Sequence, residues 1–201
     1  MKKSINNTKR LLITIILILP AIHTSLAQNN FTMKSAVASV QGTSSLHDWT
    51  SQVTQVDCTG SFQSKNTTLQ SMKNVQVKIV VEGIKSTEGK MMDRKTYEAF
   101  DSDKNPLITY SFLTARIKIN TSDSTTINTS GTLTMAGTSK PVELEATGKM
   151  LANGDLQLSF SKKLKMTDFN MKPPTAILGT IKVGDEITLN FNMVLTHTLP
   201  L

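Results

Sequence analysis

The sequence has very little of the chemistry on which enzymes and metalloproteins depend. Its 201 residues include one cysteine, three histidines and one tryptophan. A chain with a single cysteine has no internal disulfide, so its hydrophobic core has to stabilise the fold alone. Cys58 lies in an apolar, strand-like segment between Val56 and Phe62. This position predicts a buried thiol without a redox or nucleophilic role.

The histidines do not form a recognisable site. His47 and His197 are far from each other and from the cysteine, which does not match the ligand spacing of zinc or copper centres. His47 stands beside Asp48 with two serines nearby, as in a hydrolase. However, neighbours on a strand point to opposite faces, and no nucleophile elbow accompanies them. We expect no catalytic residues, no metal site and no cofactor, and an exposed His197 close to the C-terminus.

Long hydrophobic runs are absent except near the N-terminus. Leu11–Leu19 follows a basic head and is followed by small residues at Ser25-Leu26-Ala27. The run is too short for a membrane span and has the pattern of a secretory signal peptide. We expect residues 1–27 to be a cleaved leader and residues 28–201 to form one domain that is periplasmic or secreted. The residue directly after the cleavage site is Gln28 and not a cysteine, which disfavours a lipoprotein.

A strong charge of one sign is also absent from the predicted mature chain. The leader contains four basic residues and no acidic ones, so its removal lowers the net charge from +7 to +3. The remaining basic residues are mixed with acidic ones. Only Lys162-Lys163-Lys165 form a small cluster, which we interpret as a solvated strand end. Without a basic stripe or a recognisable module, nucleic acid is not an expected partner.

Alternation of apolar and polar residues is the dominant pattern of the chain. It is regular in Val75–Val81 and longest in Ile187–Leu195, and short polar turns such as Ala136–Pro141 separate the alternating segments. Such segments are typical of antiparallel strands with one apolar face, which close on themselves to remove exposed edges. The sequence therefore predicts an all-β fold, an antiparallel β-barrel of about eight strands. The interior of such a barrel is either filled by side chains or encloses one ligand.

One stretch, Gly89–Phe112, departs from this pattern. Its apolar residues recur at helical spacing, which predicts about three turns of amphipathic helix capping the barrel: Met92, Ala99 and Phe100. The helix has to end before Pro106, because the proline ring pushes the preceding residue out of the α region. In the next strand, Ile108–Ile119, the apolar phase slips near Leu113, which predicts a β-bulge.

The inferred inward faces place ten residues around one apolar tube: Val77, Ile79, Phe100, Ile108, Tyr110, Leu133, Met135, Phe160, Leu189 and Phe191. Phe100 is expected at the mouth of the tube. His47 and Trp49 are also placed at the mouth, where Trp49 would seal the end. Several methionines are interpreted as either soft lining or core filler: Met91, Met92, Met135, Met166, Met171 and Met193. Small residues on the inward face are expected to leave space: Gly131, Ala146 and Gly148.

Three segments together resemble the YceI-like family. The most specific is Gly131–Val142, which is similar to the family's hairpin of the form G-x-L-T-x-x-G-x-x-K-P-V. Met92–Tyr110 resembles the family's helix and the strand that follows it, and Met166–Ile187 completes the set. The family's early Arg-His pair is missing, since this chain has Gly42–Trp49 in its place.

The resemblance implies a lipocalin-like barrel that binds amphipathic lipids, polyisoprenoids in particular. We therefore expect an exported binding protein without enzymatic activity. It would carry an isoprenoid or a long-chain lipid in the barrel interior, with the polar head near the helix, and exchange it by transient contact with a membrane. The alternative is a structural or adhesion module with a packed core and no ligand. A cavity volume distinguishes the two.

The leader yields a direct prediction. Intact-mass analysis of exported protein should show a chain that begins at Gln28, with or without cyclisation to pyroglutamate, because the small residues before it suit signal peptidase. An exported protein that still begins at Met1 would contradict the assignment.

Overall fold

The computed structural model describes residues 29–65, 67–121, 124–176 and 178–198. The predicted leader, residues 1–27, lies outside these ranges. The described strands are β1 (Asn29–Ser44), β2 (Trp49–Val53), β3 (Val56–Lys65), β4 (Thr68–Val80), β5 (Ile84–Ser86), β6 (Leu107–Ile119), β7 (Ser124–Met135), β8 (Thr138–Met150), β9 (Leu156–Lys165), β10 (Thr175–Ala176) and β11 (Ile181–His197). One α-helix, α1 (Lys90–Phe100), and 3₁₀ turns at Val81–Gly83 and Met166–Phe169 complete the described elements.

Eight of the strands close into an antiparallel barrel, which confirms the predicted fold class. Their order is β1-β3-β4-β6-β7-β8-β9-β11, and β11 pairs back with β1. The closing pair runs from Phe31 opposite His197 to Ser44 opposite Val183, almost the full length of both strands. Closure removes most of the unpaired edges that an open sheet of this size would expose.

Short strands extend the wall at one end of the barrel. β2 pairs with both β1 and β5, and β10 pairs with the start of β11. This end also holds α1 and the β7–β8 turn, and we call it the helix end. The opposite end holds the start of β1, the end of β11 and the β8–β9 turn, and we call it the packed end.

α1 covers the helix end, as the sequence predicts. It ends at Asp101, which takes the left-handed conformation with φ 50°. Asn105 Nδ2 then donates to the carbonyl of Phe100 at 3.1 Å, which satisfies one of the free carbonyls of the last turn. The Tyr97 hydroxyl donates to the carbonyl of Glu82 at 2.9 Å and ties the helix to the first 3₁₀ turn. Among the described residues, no helix is long and apolar enough to cross a membrane.

The predicted bulge in β6 is present. The register between β6 and β7 shifts between Ser111 and Ala115. Because of this shift Phe112 stays buried, whereas Leu113 is 76% exposed on the outside of the barrel. A bulge also bends its strand, so the same feature that repairs the apolar phase helps to curve the wall.

Two inward glycines do not leave space, contrary to expectation. A Cβ atom on Gly131 would lie 2.6 Å from the Tyr110 ring, and one on Gly148 would lie 2.7 Å from Ile127. Real Cβ atoms do not approach other atoms so closely. These positions are small because a neighbouring side chain already fills the volume in front of them.

β8 and β9 separate toward the helix end. They pair only from Thr147 opposite Ser159 to Met150 opposite Leu156. Farther toward the helix end, residues 138–146 and 160–165 form no ladder pairs with each other, although both ranges are described. We call this gap in the barrel wall the seam.

Cys58 is buried, as predicted. Its side chain is 1% exposed. Burial raises the pKa of the thiol to about 12, and the neighbouring Asp57 carboxylate acts in the same direction. An ordinary thiol has a pKa near 8.5, so this group stays protonated far above neutral pH. That the thiol has no redox role stays a prediction.

The raised pKa predicts how the rate of thiol labelling depends on pH. Native protein should react slowly with the charged reagent dithiobis(nitrobenzoate), because the thiolate forms only as the pH approaches about 12. The native rate should stay low but rise roughly a hundredfold between about pH 8 and about pH 10, because below its pKa the thiolate fraction grows about tenfold with each pH unit. The unfolded chain should react faster at both pH values and accelerate only roughly fourfold, because an ordinary thiol is already partly ionised at about pH 8. Absorbance of the released thionitrobenzoate measures both rates. Rapid labelling of the native protein that follows an ordinary thiol pKa would contradict the assignment.

Candidate functional site: an apolar cavity

A cavity occupies the part of the barrel toward the helix end. Its volume is about 160 Å³, and its surface is almost wholly apolar. α1 covers it with four side chains: Met92, Thr96, Ala99 and Phe100. Residues from strands all around the barrel form the wall, and Ile127 and Met193 belong to its lining. The arrangement is a pocket in the barrel interior with a helix across its end.

All ten residues predicted for the tube line this cavity: Val77, Ile79, Phe100, Ile108, Tyr110, Leu133, Met135, Phe160, Leu189 and Phe191. Two of the aromatic rings, Phe160 and Phe191, stack on adjacent strands with their centroids 5.0 Å apart and their planes 6° apart. Alternation along the strands therefore identified positions of the cavity wall. Their role in binding a ligand stays a prediction.

The other part of the barrel interior is packed. At the packed end the Phe31 and Phe62 rings lie 5.6 Å apart between centroids. Leu69, Leu156 and Leu195 are at most 1% exposed and do not line the cavity. The barrel is thus solid at this end and hollow at the other. Of the two interiors that the sequence allows, the one filled by side chains describes this end and the one with a cavity describes the helix end.

His197 belongs to this packed end, and the expectation that it is exposed is wrong. Its ring lies 4.6 Å from the Phe62 ring between centroids. The side chain is partly buried, because Thr198 continues the pairing of the chain past β11 by donating its N–H to the Asn30 carbonyl. That bond holds the end of β11 against the start of β1.

Of the two predicted mouth residues, Trp49 lines the cavity and His47 does not. Trp49 Nε1 donates to the carbonyl of Thr43 at 3.0 Å, and the indole lies over Gly42, where a Cβ atom would be 2.5 Å from the ring. His47 is exposed, with Nδ1 2.7 Å from the Asp48 carbonyl oxygen. Its Nε2 lies 3.9 Å from a carboxylate oxygen of Glu88. His47 therefore organises the loop beside the mouth.

A hydroxyl pair is set into the apolar wall. The Tyr110 hydroxyl lies 2.7 Å from the Thr129 hydroxyl and donates to the carbonyl of Val142 at 3.2 Å. Burial raises the pKa of Tyr110, and the hydrogen bond with Thr129 opposes this change. The pair satisfies its polar atoms within the wall, and it is neutral at physiological pH.

Methionines supply a flexible part of the lining. Six of them face the cavity: Met72, Met92, Met135, Met166, Met171 and Met193. Met72 was not among the predicted set. Met91 was, but it is 54% exposed on the outer face of α1, so that prediction is wrong. Unbranched thioether side chains adapt to guests of different shape.

Lys162 is the charged lining residue that sequence reasoning missed. It lines the cavity, whereas Lys163 and Lys165 are exposed as expected of a solvated strand end. The signal was available, because Leu156, Leu158 and Phe160 alternate on β9 and the same phase reaches residue 162. The interpretation of all three lysines as one solvated cluster is therefore wrong for the first of them.

Few side chains in this cavity could bind a metal ion or act in acid-base catalysis. Throughout the described ranges, no group of three or more His, Cys, Asp or Glu residues is placed to hold a metal ion. The described lining residues with a polar or titratable group are one lysine, one tyrosine, one tryptophan, the buried Cys58, two serines and two threonines. Such a wall is suited to holding an apolar guest.

The boundary between the hollow and packed parts predicts a difference in stability between two variants of β9. Leu156→Ala should lower the free energy of unfolding by about 3–5 kcal/mol, because that side chain is fully surrounded. Leu158→Ala, two residues along on the same face, should cost about 2 kcal/mol, because its side chain already borders the cavity and has fewer contacts to lose. Urea unfolding measures both. Equal losses would mean that the cavity does not reach this strand.

Several solved structures have a similar fold. The fold is similar to BcnA of Burkholderia cenocepacia (16% identity, TM-score 0.59, covering 80% of this chain and 96% of that one). It is similar to a polyisoprenoid binding domain of Saccharophagus degradans (9% identity, TM-score 0.63, covering 84% of this chain and 98% of that one). It is also similar to the YCEI protein of Campylobacter jejuni (20% identity, TM-score 0.50, covering 73% of this chain and 86% of that one). At such identities the likeness shows the fold alone, and no curated protein matches the chain. A family model of the YceI-like domain matches residues 23–195. The chain therefore belongs to the YceI-like family.

Proposed function

We propose that the protein binds an amphipathic lipid with a long isoprenoid or acyl chain and carries that chain in the barrel cavity. The observation that carries the proposal is the apolar cavity itself, closed by α1 at one end and by packed side chains at the other. Membership of the YceI-like family supports it. The fold similarity to a domain described as polyisoprenoid binding agrees with it.

The energetics of such binding need no directional chemistry. Each methylene group that leaves water for an apolar environment contributes about 0.8 kcal/mol. A wall of aliphatic, aromatic and thioether side chains provides that environment. We therefore propose binding rather than catalysis, with no cofactor.

The size of the cavity sets a condition on the cargo. An engineered cavity of about 150 Å³ accepts one benzene molecule, so on that scale 160 Å³ takes about six carbon atoms. A longer chain enters by displacing flexible side chains, for which the six lining methionines are suited. The part of the chain that does not fit extends through the seam in the wall.

The proposed cargo also implies where the protein acts. A long-chain lipid is almost insoluble, because its apolar surface is costly to expose to water. A carrier therefore has to collect and release it during transient contact with a membrane. We propose that this occurs in the periplasm or outside the cell, after removal of residues 1–27.

A structural or adhesion module with a packed core is the second candidate. The packed end of the barrel fits that description, since Phe31, Phe62 and Leu195 are at most 2% exposed there. The cavity beside it does not, because a module without a ligand gains stability from filling its interior. The cavity therefore favours the carrier.

Mass spectrometry of extracted lipids tests the carrier proposal. Protein purified without detergent from its native host should release a lipid with a long isoprenoid or acyl tail. Leu133→Trp should reduce the recovered lipid severalfold, because Leu133 lines the cavity and the larger ring occupies it. The added bulk should cost about 1–3 kcal/mol of stability, so the barrel should remain folded.

Thr132→Trp is the matched control. Thr132 is the preceding residue on β7 and is exposed on the outer face, so the same indole added there should leave lipid recovery unchanged. Circular dichroism checks that both variants are folded. Native protein without lipid, together with equal recovery from both variants, would favour the structural module.

A further inference from the structure

Among the described residues that line the cavity, Lys162 is the one that carries a charged side chain. It lies on β9 between Phe160 and Leu164, which line the cavity with it, and opposite Leu189 on β11. Its side chain is partly buried. An apolar wall gains nothing from one cation, and desolvating an ammonium group is costly unless an anion compensates. The position therefore requires an explanation.

The Lys162 side chain makes no hydrogen bond or ion pair with any residue in the described ranges. The next residue offers a contrast, since Lys163 Nζ lies 2.8 Å from a carboxylate oxygen of Glu186 on the outer surface. The other polar groups deep in the wall also have partners, as with Tyr110 and Thr129. The Lys162 ammonium thus has unused donors.

The seam runs beside this residue. β9 loses its pairing with β8 beyond Ser159, so residue 162 faces a stretch of β8 with which it forms no ladder pair. Continuing the β8–β9 register would place Leu144 opposite it. A shallow groove outside the seam shares Ala146, Phe160 and Phe191 with the cavity. The cavity and the outer surface therefore meet along this line.

We propose that Lys162 binds the anionic head group, a carboxylate or a phosphate, of the lipid whose tail lies in the cavity. This inference rests on the proposed function and adds the charge and the location of the head. The head lies at the seam, in reach of water, rather than beside α1 and Trp49. Lysine suits this place because its alkyl stem lies along apolar surface while its ammonium reaches the polar boundary. An ionised acceptor forms a short, strong hydrogen bond with it.

Paired lipids test the inference. Myristate and tetradecanol have saturated chains of equal length but carry an ionised carboxylate and a neutral hydroxyl as their heads. Farnesyl phosphate and farnesol form a second pair of anion and alcohol, with an isoprenoid tail. Trp49, the single tryptophan of the chain, lines the cavity, so its fluorescence reports binding of all four. The wild-type protein should bind the anion of at least one pair about ten- to a hundredfold more tightly than its alcohol, as expected for a hydrogen bond to a charged group.

Three variants assign the preference to one residue. Lys162→Met keeps the length and apolar character of the stem and should abolish the preference while retaining binding of the alcohols. Lys163→Met removes the same charge one position away and should change nothing, and Lys162→Arg should keep the preference. Thermal unfolding verifies that each variant is folded. Which anion shows the preference tells whether the head is a carboxylate or a phosphate.

The outcomes separate this inference from the proposed function. Equal affinity for anion and alcohol in the wild-type protein, or a preference that survives in Lys162→Met, would overturn the role of Lys162 and leave the lipid carrier in place. Failure of all four lipids to change Trp49 fluorescence or to bind in equilibrium dialysis would overturn both. A preference that is lost in Lys162→Met alone supports the inference.

Discussion

The pairing of β1 with β11 is the constraint on which the rest of the structure depends. It joins the two ends of the described chain along twelve register positions and fixes the barrel at eight strands. A barrel of that size has an interior just wide enough for side chains to fill or for one small ligand. The side chains that point inward at each position along the barrel axis then decide whether the interior is filled or hollow there.

The two ends make different use of this interior. Large rings from the adjacent strands β1 and β3, Phe31 and Phe62, pack against each other at the packed end and exclude a guest. Toward the helix end the inward residues include flexible methionines and leave a cavity. α1 lies across this end of the barrel and covers the cavity with its side chains. The packed end supplies stability, so the hollow end can remain unfilled.

Local patterns predicted much of the architecture. A period of two identified the nine wall residues that lie on strands, and the change of period at Met92 identified the helix, which supplies the tenth, Phe100. The phase slip at Leu113 located the bulge. Properties that depend on neighbours across the barrel were not accessible in this way. Gly131 is small because Tyr110 occupies its space, and Lys162 faces inward although two other lysines follow it on the strand. Treating those lysines as one cluster obscured the alternation. The leader and the lipid remain predictions.

The seam leaves a stretch of β8 unpaired on one side, and the sequence of this strand protects the exposed edge. Unpaired strand edges invite pairing with other chains, and a closed barrel normally has none. Pro141 lies on this edge, and it is the fourth residue of β8. Counted from the two-residue turn, Thr132 and Pro141 form a non-hydrogen-bonded pair, so the proline nitrogen faces the seam. Proline has no N–H to donate there, and Lys140, Glu143 and Glu145 are exposed around it. These features discourage a foreign strand while leaving the gap open to a flexible chain. The wall can therefore stay open at one line without becoming a site of aggregation.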